Sequence, residues 1–424
     1  MFAYTLLKNS MGLSKPFTLF LCFLIIMRYQ HLVALLVPNT IPMPSMDQQT
    51  FLSNPNSNVH FMNSTKFREG CISVDDVNFD EVLKTHPKLR YKVKILCGDF
   101  YYQEMTLEET KQKLLLSPSS EDKVLKSQSE IDMYIRDNLN KKFPLDGPLI
   151  RAYLQNIEVA ENGEPVQKSM IIWKFHHCMC DGISAIALLL AFGKELNPSY
   201  FMKTKLPNFF ERLFLRVTFP FHLPAIAKST MLARQDVNCI TKGRLRGSSS
   251  QLTGRVNISS APSLDLAKVK EASKKIGVTI NDMIMCAAST SLHKHFREQG
   301  DQSKDILMVI PANIRFKMYQ SMQDLKIENK FTTMGFKVPL CQTMKEGYKP
   351  IQRVTSQIKK SFGYIYAMYA FIFWTSSLIP RICSHHTVES ISQKYTIAFS
   401  NTPGPVKQIE FMNKKTGEVK TVSQ

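Results

Sequence analysis

Residues 176–182 read HHCMCDG and lie between two apolar runs. Residues 168–177 have the pattern of a β-strand, and residues 183–196 (ISAIALLLAFGKEL) are apolar on nearly every helical face, which is typical of a buried helix. Because side chains alternate along a strand, His177 falls on the apolar face and His176 on the opposite face. An imidazole, a carboxylate and a glycine therefore meet at one strand-to-helix corner, which suits general-base chemistry on a hydroxyl group.

The composition indicates a folded chain that meets an anionic partner. With 424 residues, of which 44% are hydrophobic, the chain is long enough for two or three domains with a sizeable core. The 54 lysines and arginines outnumber the 35 acidic residues, which gives a formal net charge of +19. The basic residues are spread among apolar stretches, without a basic arm or a nucleic-acid motif. We therefore predict a membrane surface or a phosphate-bearing ligand, and no nucleic acid.

The cysteines and the N-terminal region bear on the compartment. Nine cysteines without framework spacing fit reduced thiols in a cytosol-facing protein. Residues 17–27 and 32–37 are apolar and are separated by Arg28, which would cost about 2.5 to 3.5 kcal/mol inside a bilayer. A membrane anchor, a signal peptide and a membrane-lying hairpin stay open as interpretations. The lack of a clear cleavage site favours a retained anchor.

The pattern along the chain predicts two α/β units. Residues 38–66 are rich in Pro, Asn and Ser and predict an irregular lead-in, whereas residues 207–235 are aromatic-rich and basic and predict a linker or a membrane-contacting insertion. In the second half, Ser263 is expected to cap a helix that Gly277 ends. The predicted units are a hydrophobic N-terminal extension (1–41), a first subdomain (42–241), a linker (242–251) and a second subdomain (252–424).

Six landmarks occur in an order that resembles the wax ester synthase/diacylglycerol acyltransferase family. That family lies within the wider group of CoA-dependent acyltransferases that carry the H-H-x-x-x-D-G signature. The signature alone marks only the wider group, whereas its combination with Asn-Asp at a helix start and a late Ser-Asn-x-Pro-Gly-Pro is more specific. The landmarks are Pro44–Asp47, Leu145–Arg151, His176–Gly182, Asn281-Asp282, Pro311–Arg315 and Ser400–Pro405.

The resemblance implies a fold and a reaction. The expected fold is α/β, with two chloramphenicol-acetyltransferase-like subdomains and an active-site tunnel between them. The expected reaction moves a fatty acyl group from acyl-CoA, the co-substrate, to a long-chain alcohol or to diacylglycerol, with no bound cofactor. The expected setting is a membrane or lipid-droplet surface, at the endoplasmic reticulum, with the active site facing the cytosol.

His177 is the predicted general base, because histidine has a pKa near neutral pH. The residues alone leave a buried structural histidine equally open, and the resemblance favours the base. By resemblance, Asp181 orients the loop by pairing with a buried arginine, for which Arg315 is the candidate. Helix capping by Asp181 is the alternative, and both roles can hold at once. His176 is expected to be structural, and Gly182 to permit a tight turn.

Three further polar residues are expected near the reacting atoms. Asn281 donates to the thioester oxygen, or holds the tunnel, or simply caps a helix. Ser400 and Asn401 either line the site near the developing oxyanion or form an ordinary turn. No metal site is predicted, because the histidines and cysteines of residues 176–180 have the wrong spacing for structural zinc.

Two departures from the family pattern keep rival hypotheses open. The chain ends at Gln424, soon after the late motif, so the second subdomain is expected to be truncated. The hydrophobic N-terminal extension is also not a general family feature. The alternatives are a related CoA-dependent acyltransferase with another acceptor, and a catalytically inactive homologue that binds acyl-CoA or lipid.

Overall fold

The structure is a computed structural model. It describes residues 15–51, 60–67, 71–116, 124–161, 164–194, 196–201, 207–242, 253–378, 391–402, 404–405 and 407–422. The helices in these ranges are α1 (Lys15–Leu36), α2 (Ser45–Phe51), α3 (Phe79–Thr85), α4 (Leu107–Leu114), α5 (Gln128–Asn140), α6 (Gly182–Phe192), α7 (Phe209–Ala227), α8 (Leu266–Ile276), α9 (Ile280–Glu298), α10 (Met344–Lys360) and α11 (Phe362–Leu378). Short 3₁₀ turns cover Val74–Asp76, Pro87–Arg90 and Pro198–Tyr200, and a π-helical turn, Lys228–Leu232, follows α7.

The strands complete an α/β architecture. They are β1 (Thr40–Pro42), β2 (His60–Lys66), β3 (Tyr91–Leu96), β4 (Asp99–Glu104), β5 (Leu115–Leu116), β6 (Ile150–Glu161), β7 (Glu164–His176), β8 (Asp305–Asn313), β9 (Phe331–Pro339), β10 (Ile397–Ala398), β11 (Glu410–Met412) and β12 (Val419–Thr421). They form sheets in the orders β2-β7-β6-β5, β1-β4-β3, β10-β8-β9 and β11-β12.

Strand β7 is the centre of the first half. It forms a long antiparallel hairpin with β6, and β2 pairs along its other edge, so that its backbone is bonded on both sides. Trp173 on one face stacks on Phe192 of α6 at 4.4 Å between ring centroids. Met170 and Ile172 on the opposite face are also fully buried. Both faces are therefore covered, which explains why residues 170–175 of the strand are apolar apart from Lys174.

The second half has its own core around β8. Strand β10 pairs parallel to β8 and β9 pairs antiparallel to it. Helices α9 and α10 cover this sheet through Phe296 and Ile351, which pack against Ile306 and Met308 of β8.

The hairpin β11–β12 returns from the second half to the first. Phe411 packs edge-on against Phe67 at 5.1 Å, and both rings are almost completely buried. Phe67 also forms an isolated antiparallel bridge with Val422. The last described residues thus complete the core of the first half. The predicted subdomain boundaries stay predictions, and residues 243–251 of the predicted linker lie outside the described residues.

One regional prediction was wrong and a second was wrong in one of its alternatives. Residues 38–66 contain β1, α2 and β2, because the central strand β7 takes β2 as an edge partner despite its polar sequence. Residues 207–235 contain helix α7, so they are not a linker, while the membrane-contacting alternative stays a prediction. The capping box of Asn208 and Glu211 and the packing of Ile226 on α11 support this helix despite its two prolines.

The cap of one helix and the structure of the N-terminal region also differ from the predictions. The cap of α8 is Asp265 and not Ser263, while Gly277 ends this helix with a left-handed φ of 79°, as predicted. Residues 15–36 form the continuous helix α1 rather than a hairpin. Among the residues that the structure describes, no helix combines the length and apolar character needed to cross a membrane.

Lys174 gives the fold a pH dependence. This lysine of β7 is buried and donates to the carbonyl oxygen of Asn138 at 2.7 Å. Burial, followed by the charges of Arg151 and Lys141, lowers the pKa of Lys174 from 10.5 to about 7. Between these two values the unfolded chain binds the proton and the folded chain does not, so the free energy of unfolding rises with pH across this window.

We expect Lys174→Met to reduce the slope of the unfolding free energy against pH, because the variant lacks this titrating group. The loss of one proton's difference corresponds to a slope change of up to about 1.4 kcal/mol per pH unit. Urea unfolding of both proteins from pH 7 to pH 10 measures the slopes. The exposed Lys268→Met variant is the control and should keep the wild-type slope. Identical slopes in the Lys174→Met variant and wild type would contradict the lowered pKa.

Candidate active site

His177 lies directly after β7, at a cavity between the two halves. The cavity has a volume of about 390 Å³ and is walled by residues of both halves, among them Phe61, Pro311 and Phe331. The imidazole is half-buried and packs between the rings of Phe61 and Phe331, with centroids 5.4 Å and 5.5 Å away. The strand-face prediction that placed His177 at the edge of the core matches this position.

The two ring nitrogens of His177 have different surroundings. The Nδ1 atom is buried and has no hydrogen-bond partner among the described residues. Because the ring is only half-buried and its Nδ1 edge is covered, Nε2 is the nitrogen that can meet a ligand. No described side chain holds the ring through a hydrogen bond at Nδ1, so its position depends on aromatic packing.

His176 points away from this cavity. It is buried, and its Nδ1 accepts a hydrogen bond from the backbone N–H of Cys178 at 3.2 Å. Its ring contacts Phe51 and Phe143. These contacts fit the predicted structural role. Burial also raises the pKa of the Cys178 and Cys180 thiols well above their usual range, so both stay protonated and unreactive.

Asp181 both caps α6 and forms an ion pair. Its Oδ1 accepts from the backbone N–H of Ser184 at 3.0 Å, and its Oδ2 accepts from Arg315 at 2.8 Å and from the backbone N–H of Lys330 at 2.8 Å. The two side chains of the ion pair are 2% and 7% exposed, so little water screens their attraction. The two predicted roles, capping and pairing with Arg315, therefore hold together.

Arg315 joins the corner of the first half to the second half. Besides Asp181, its guanidinium donates to the Ser184 hydroxyl at 2.8 Å, the Glu328 carbonyl at 3.2 Å and the Tyr319 hydroxyl at 3.1 Å. Burial lowers the pKa of Arg315, but the Asp181 carboxylate and the Tyr319 hydroxyl together more than offset it, so the pKa is raised. The ion pair thus fixes the position of α6 against the segment that follows β8.

A second network of buried hydrogen bonds supports the loop that carries His177. The Asp47 carboxylate accepts from Lys88 at 2.6 Å, Tyr102 at 3.1 Å and Asn329 at 3.0 Å. The same Asn329 amide donates to the carbonyl oxygen of His177 at 2.8 Å. Burial raises the pKa of Asp47, and Lys88, Asn329 and Tyr102 oppose that rise.

Asn329 and the role of Asp47 were not predicted from the sequence. The Pro44–Asp47 landmark was the signal for Asp47, since a lone acidic residue at the start of a short helix has to be paired when it is buried. Nothing in the local sequence marks Asn329.

The remaining predicted residues lie at the rim of the cavity. Gly182 is the first residue of α6, and a side chain there would come within 3.3 Å of Thr402. A side chain at position 182 is thus restricted by the close approach of residues 400–402, and not by the tight turn that was expected there. Ser400 and Asn401 are exposed and line the cavity wall.

Asn281 does not cap a helix. Thr279 caps α9, and Asn281 is its second helical residue, where it accepts a hydrogen bond from the Asn401 amide. The two asparagines therefore form one unit that links α9 to the 400–402 segment. This unit carries amide groups that can donate to an oxygen atom in or near the cavity.

Comparison with known proteins places these features in context. Residues 328–423 match the model of the WS/DGAT C-terminal domain. A probable diacylglycerol O-acyltransferase of Mycobacterium tuberculosis is 24% identical over 282 residues, which cover 60% of this chain and 58% of that protein. A second, putative diacylglycerol O-acyltransferase of M. tuberculosis is 23% identical over 245 residues, covering 53% of this chain and 48% of that protein. The chain thus spans about half the length of these relatives.

Solved structures show the same fold. The wax ester synthase/diacylglycerol acyltransferase from Marinobacter aquaeolei aligns with a TM-score of 0.54 at 14% identity, over 90% of this chain and 85% of that one. The starter condensation domain of rhizomide synthetase, solved in complex with C8-CoA, aligns with a TM-score of 0.52 at 14% identity, over 92% of this chain and 83% of that one. The predicted α/β fold class of two chloramphenicol-acetyltransferase-like units is confirmed.

Proposed function

We propose that this chain is a member of the wax ester synthase/diacylglycerol acyltransferase family and transfers a fatty acyl group from acyl-CoA to the hydroxyl group of a lipid. The observation that carries the proposal is His177, which lines an apolar-walled cavity between the two halves and whose buried Nδ1 leaves Nε2 as the nitrogen that can meet a ligand. The names of the relatives support the same reaction class.

In the proposed mechanism His177 acts as the general base. Nε2 takes the proton of the acceptor hydroxyl while its oxygen attacks the thioester carbonyl. A C–O bond forms, the C–S bond breaks as the tetrahedral intermediate collapses, and the imidazolium returns the proton to the leaving sulfur of CoA. Amide donors of Asn281 and Asn401, with the Ser400 hydroxyl, are the candidates to stabilise the negative oxygen of that intermediate.

The acceptor is proposed to be a long-chain alcohol or diacylglycerol. Phe61, Phe331 and Pro311 give the cavity walls the apolar surface that a fatty chain requires. Acyl-CoA enters as co-substrate, and no bound cofactor is proposed. We propose a membrane-associated protein at the endoplasmic reticulum with a cytosol-facing site, which the net charge of +19 and the lack of a disulfide spacing support.

An acceptor screen tests the proposal. Purified protein is incubated with palmitoyl-CoA and either hexadecanol or diacylglycerol, and the lipid products are separated and identified. We expect wax ester or triacylglycerol. Ester formed only with another acceptor would favour a related acyltransferase, while acyl-CoA binding without any ester by folded protein would favour an inactive binding homologue.

Asn329 is proposed to position His177. Because its amide bridges the Asp47 carboxylate and the His177 carbonyl, Asn329→Ala releases the histidine loop from its support. We expect kcat to fall by about tenfold or more with little change in KM, since small displacements of a catalytic group are costly. Steady-state kinetics of the variant measure both constants.

Asn413 offers the matched control. Its amide donates to the Asp76 carboxylate at 2.7 Å in a comparable amide–carboxylate contact away from the cavity. Asn413→Ala should lower stability without a selective loss of kcat. Equal losses of kcat in the two variants would count against a positioning role for Asn329.

A further inference from the structure

Helix α7 is apolar on the side that faces the protein and also on the side that faces outward. On its inner side Leu215 and Ile226 are buried, and Ile226 packs against Ala367 and Met368 of α11. A surface helix normally turns charged and polar residues outward. Here the outward residues are 48% to 81% exposed and apolar: Phe209, Phe210, Leu213, Phe214, Val217 and Phe221.

These six residues form a continuous outer stripe. At about 100° per residue they fall within an arc of about 140°, on the opposite side of the helix from Leu215 and Ile226. Four of the six are phenylalanines, and soluble proteins rarely expose a contiguous apolar surface of this kind without a function for it.

A groove opens beside the outer stripe. It has a volume of about 700 Å³ and lies between α7 and the turn that joins α10 to α11. Phe210, Phe214 and Phe362 line it, and Glu211 and the exposed Lys359 are its charged residues. The apolar part of the lining suits an acyl chain of the lipid surface.

The charges around the stripe are positive. Arg216 and Lys228 are exposed on α7 and its following turn, and Lys359 and Lys360 are exposed at the end of α10. The one acidic residue of α7, Glu211, already accepts a hydrogen bond from the Asn208 backbone at 2.7 Å. Aromatic residues beside exposed cations are typical of helices that lie in the interface of an anionic bilayer.

A second copy of this chain fits the stripe less well. Each copy would carry the same formal net charge of +19, so two cationic surfaces would have to meet. An anionic lipid surface instead complements both the charge and the apolar character.

We propose that the outer stripe of α7 docks on an anionic lipid bilayer, with its phenylalanines among the acyl chains and the flanking cations at the phosphates. One part of this inference rests on the proposed function, namely that the bilayer is the surface from which the lipid acceptor comes. Arg212 of α7 donates to the Phe316 carbonyl at 2.8 Å and stacks on its ring at 5.3 Å. Phe316 follows Arg315, which lines the cavity, so the docked helix contacts the segment next to the cavity wall.

Tryptophan fluorescence tests the stripe itself. The chain has two tryptophans, and Trp173 is fully buried whereas Trp374 is 57% exposed. In a Trp374→Phe background, Phe221→Trp places a reporter on the stripe, and Leu264→Trp is the control, because these two positions are 81% and 80% exposed. Both proteins are mixed with vesicles of brominated phosphatidylcholine and phosphatidylglycerol, without any acyl-CoA.

We expect the Phe221→Trp protein to be quenched by brominated lipid and the Leu264→Trp protein to keep its intensity. No quenching in either protein, or equal quenching in both, would overturn the proposal even if α1 holds the protein on the vesicles. A blue shift of the Phe221→Trp protein that depends on protein concentration without vesicles would also overturn it, in favour of a second copy.

Charge reversal tests the anionic preference. The double variant Arg216→Glu with Lys228→Glu should lose at least about tenfold of its affinity for phosphatidylglycerol vesicles at low salt. The control, Lys268→Glu with Lys270→Glu on α8, should keep it, and an equal loss in both would overturn the docking surface. Because no step of acyl transfer enters these measurements, their failure is separable from failure of the acceptor screen.

Discussion

Replacing His177 with alanine is expected to lower kcat/KM for acyl transfer by about 10²- to 10⁴-fold while the fold stays intact. The loss follows because Nε2 of this ring is the proposed base for the acceptor hydroxyl. The fold should survive because the imidazole is half-buried and its Nδ1 makes no hydrogen bond to any described residue. Steady-state kinetics and thermal unfolding of the same preparation measure the two effects.

His176 provides the opposite control. It is buried, accepts from the Cys178 backbone and contacts Phe51 and Phe143, so His176→Ala removes packing and a hydrogen bond from the core. We expect this variant to unfold at a lower temperature and to retain more activity per folded molecule than His177→Ala. Full activity in the His177→Ala variant would remove the proposed mechanism.

Arg315→Met is expected to lower the free energy of unfolding by about 3 to 5 kcal/mol. The substitution leaves the Asp181 carboxylate buried without its cation and removes the donors that serve Ser184 and the Glu328 carbonyl. Adding Asp181→Asn should recover part of the loss, because the buried group is then neutral. Urea unfolding of wild type, both single variants and the double variant closes the cycle.

An exposed ion pair serves as the control for the buried Arg315–Asp181 pair. Lys275 and Glu271 on α8 are 73% and 65% exposed and 2.7 Å apart. Lys275→Met should change the free energy of unfolding by less than about 0.5 kcal/mol. If Arg315→Met also stayed within that range, the buried pair would not stabilise the junction between the halves.

Sequence patterns located the histidine corner because its features are local. Strand alternation placed His177 on one face, and the glycine and aspartate marked the start of α6 within a few residues. The pairing of Asp181 with Arg315 came from the resemblance, since 134 positions separate the two residues and no periodicity connects them.

The rest of the site depends on long-range contacts. Asn329 reaches Asp47 across 282 positions, and a lone asparagine carries no pattern that reveals such a partner. Strand β2 looked irregular because its side chains are polar, yet the exposed edge of β7 selected it through backbone hydrogen bonds. Helix α7 looked like a linker because its prolines count against a helix, whereas its capping box and its packing on α11 stabilise one.

The return of the β11–β12 hairpin to Phe67 has a consequence for synthesis on the ribosome. The first half is made early, but the aromatic partner of Phe67 is Phe411, which is synthesised 344 positions later. Until then the nascent first half carries an uncovered apolar site that chaperones can recognise. Completion of the first core is thereby linked to synthesis of the second half.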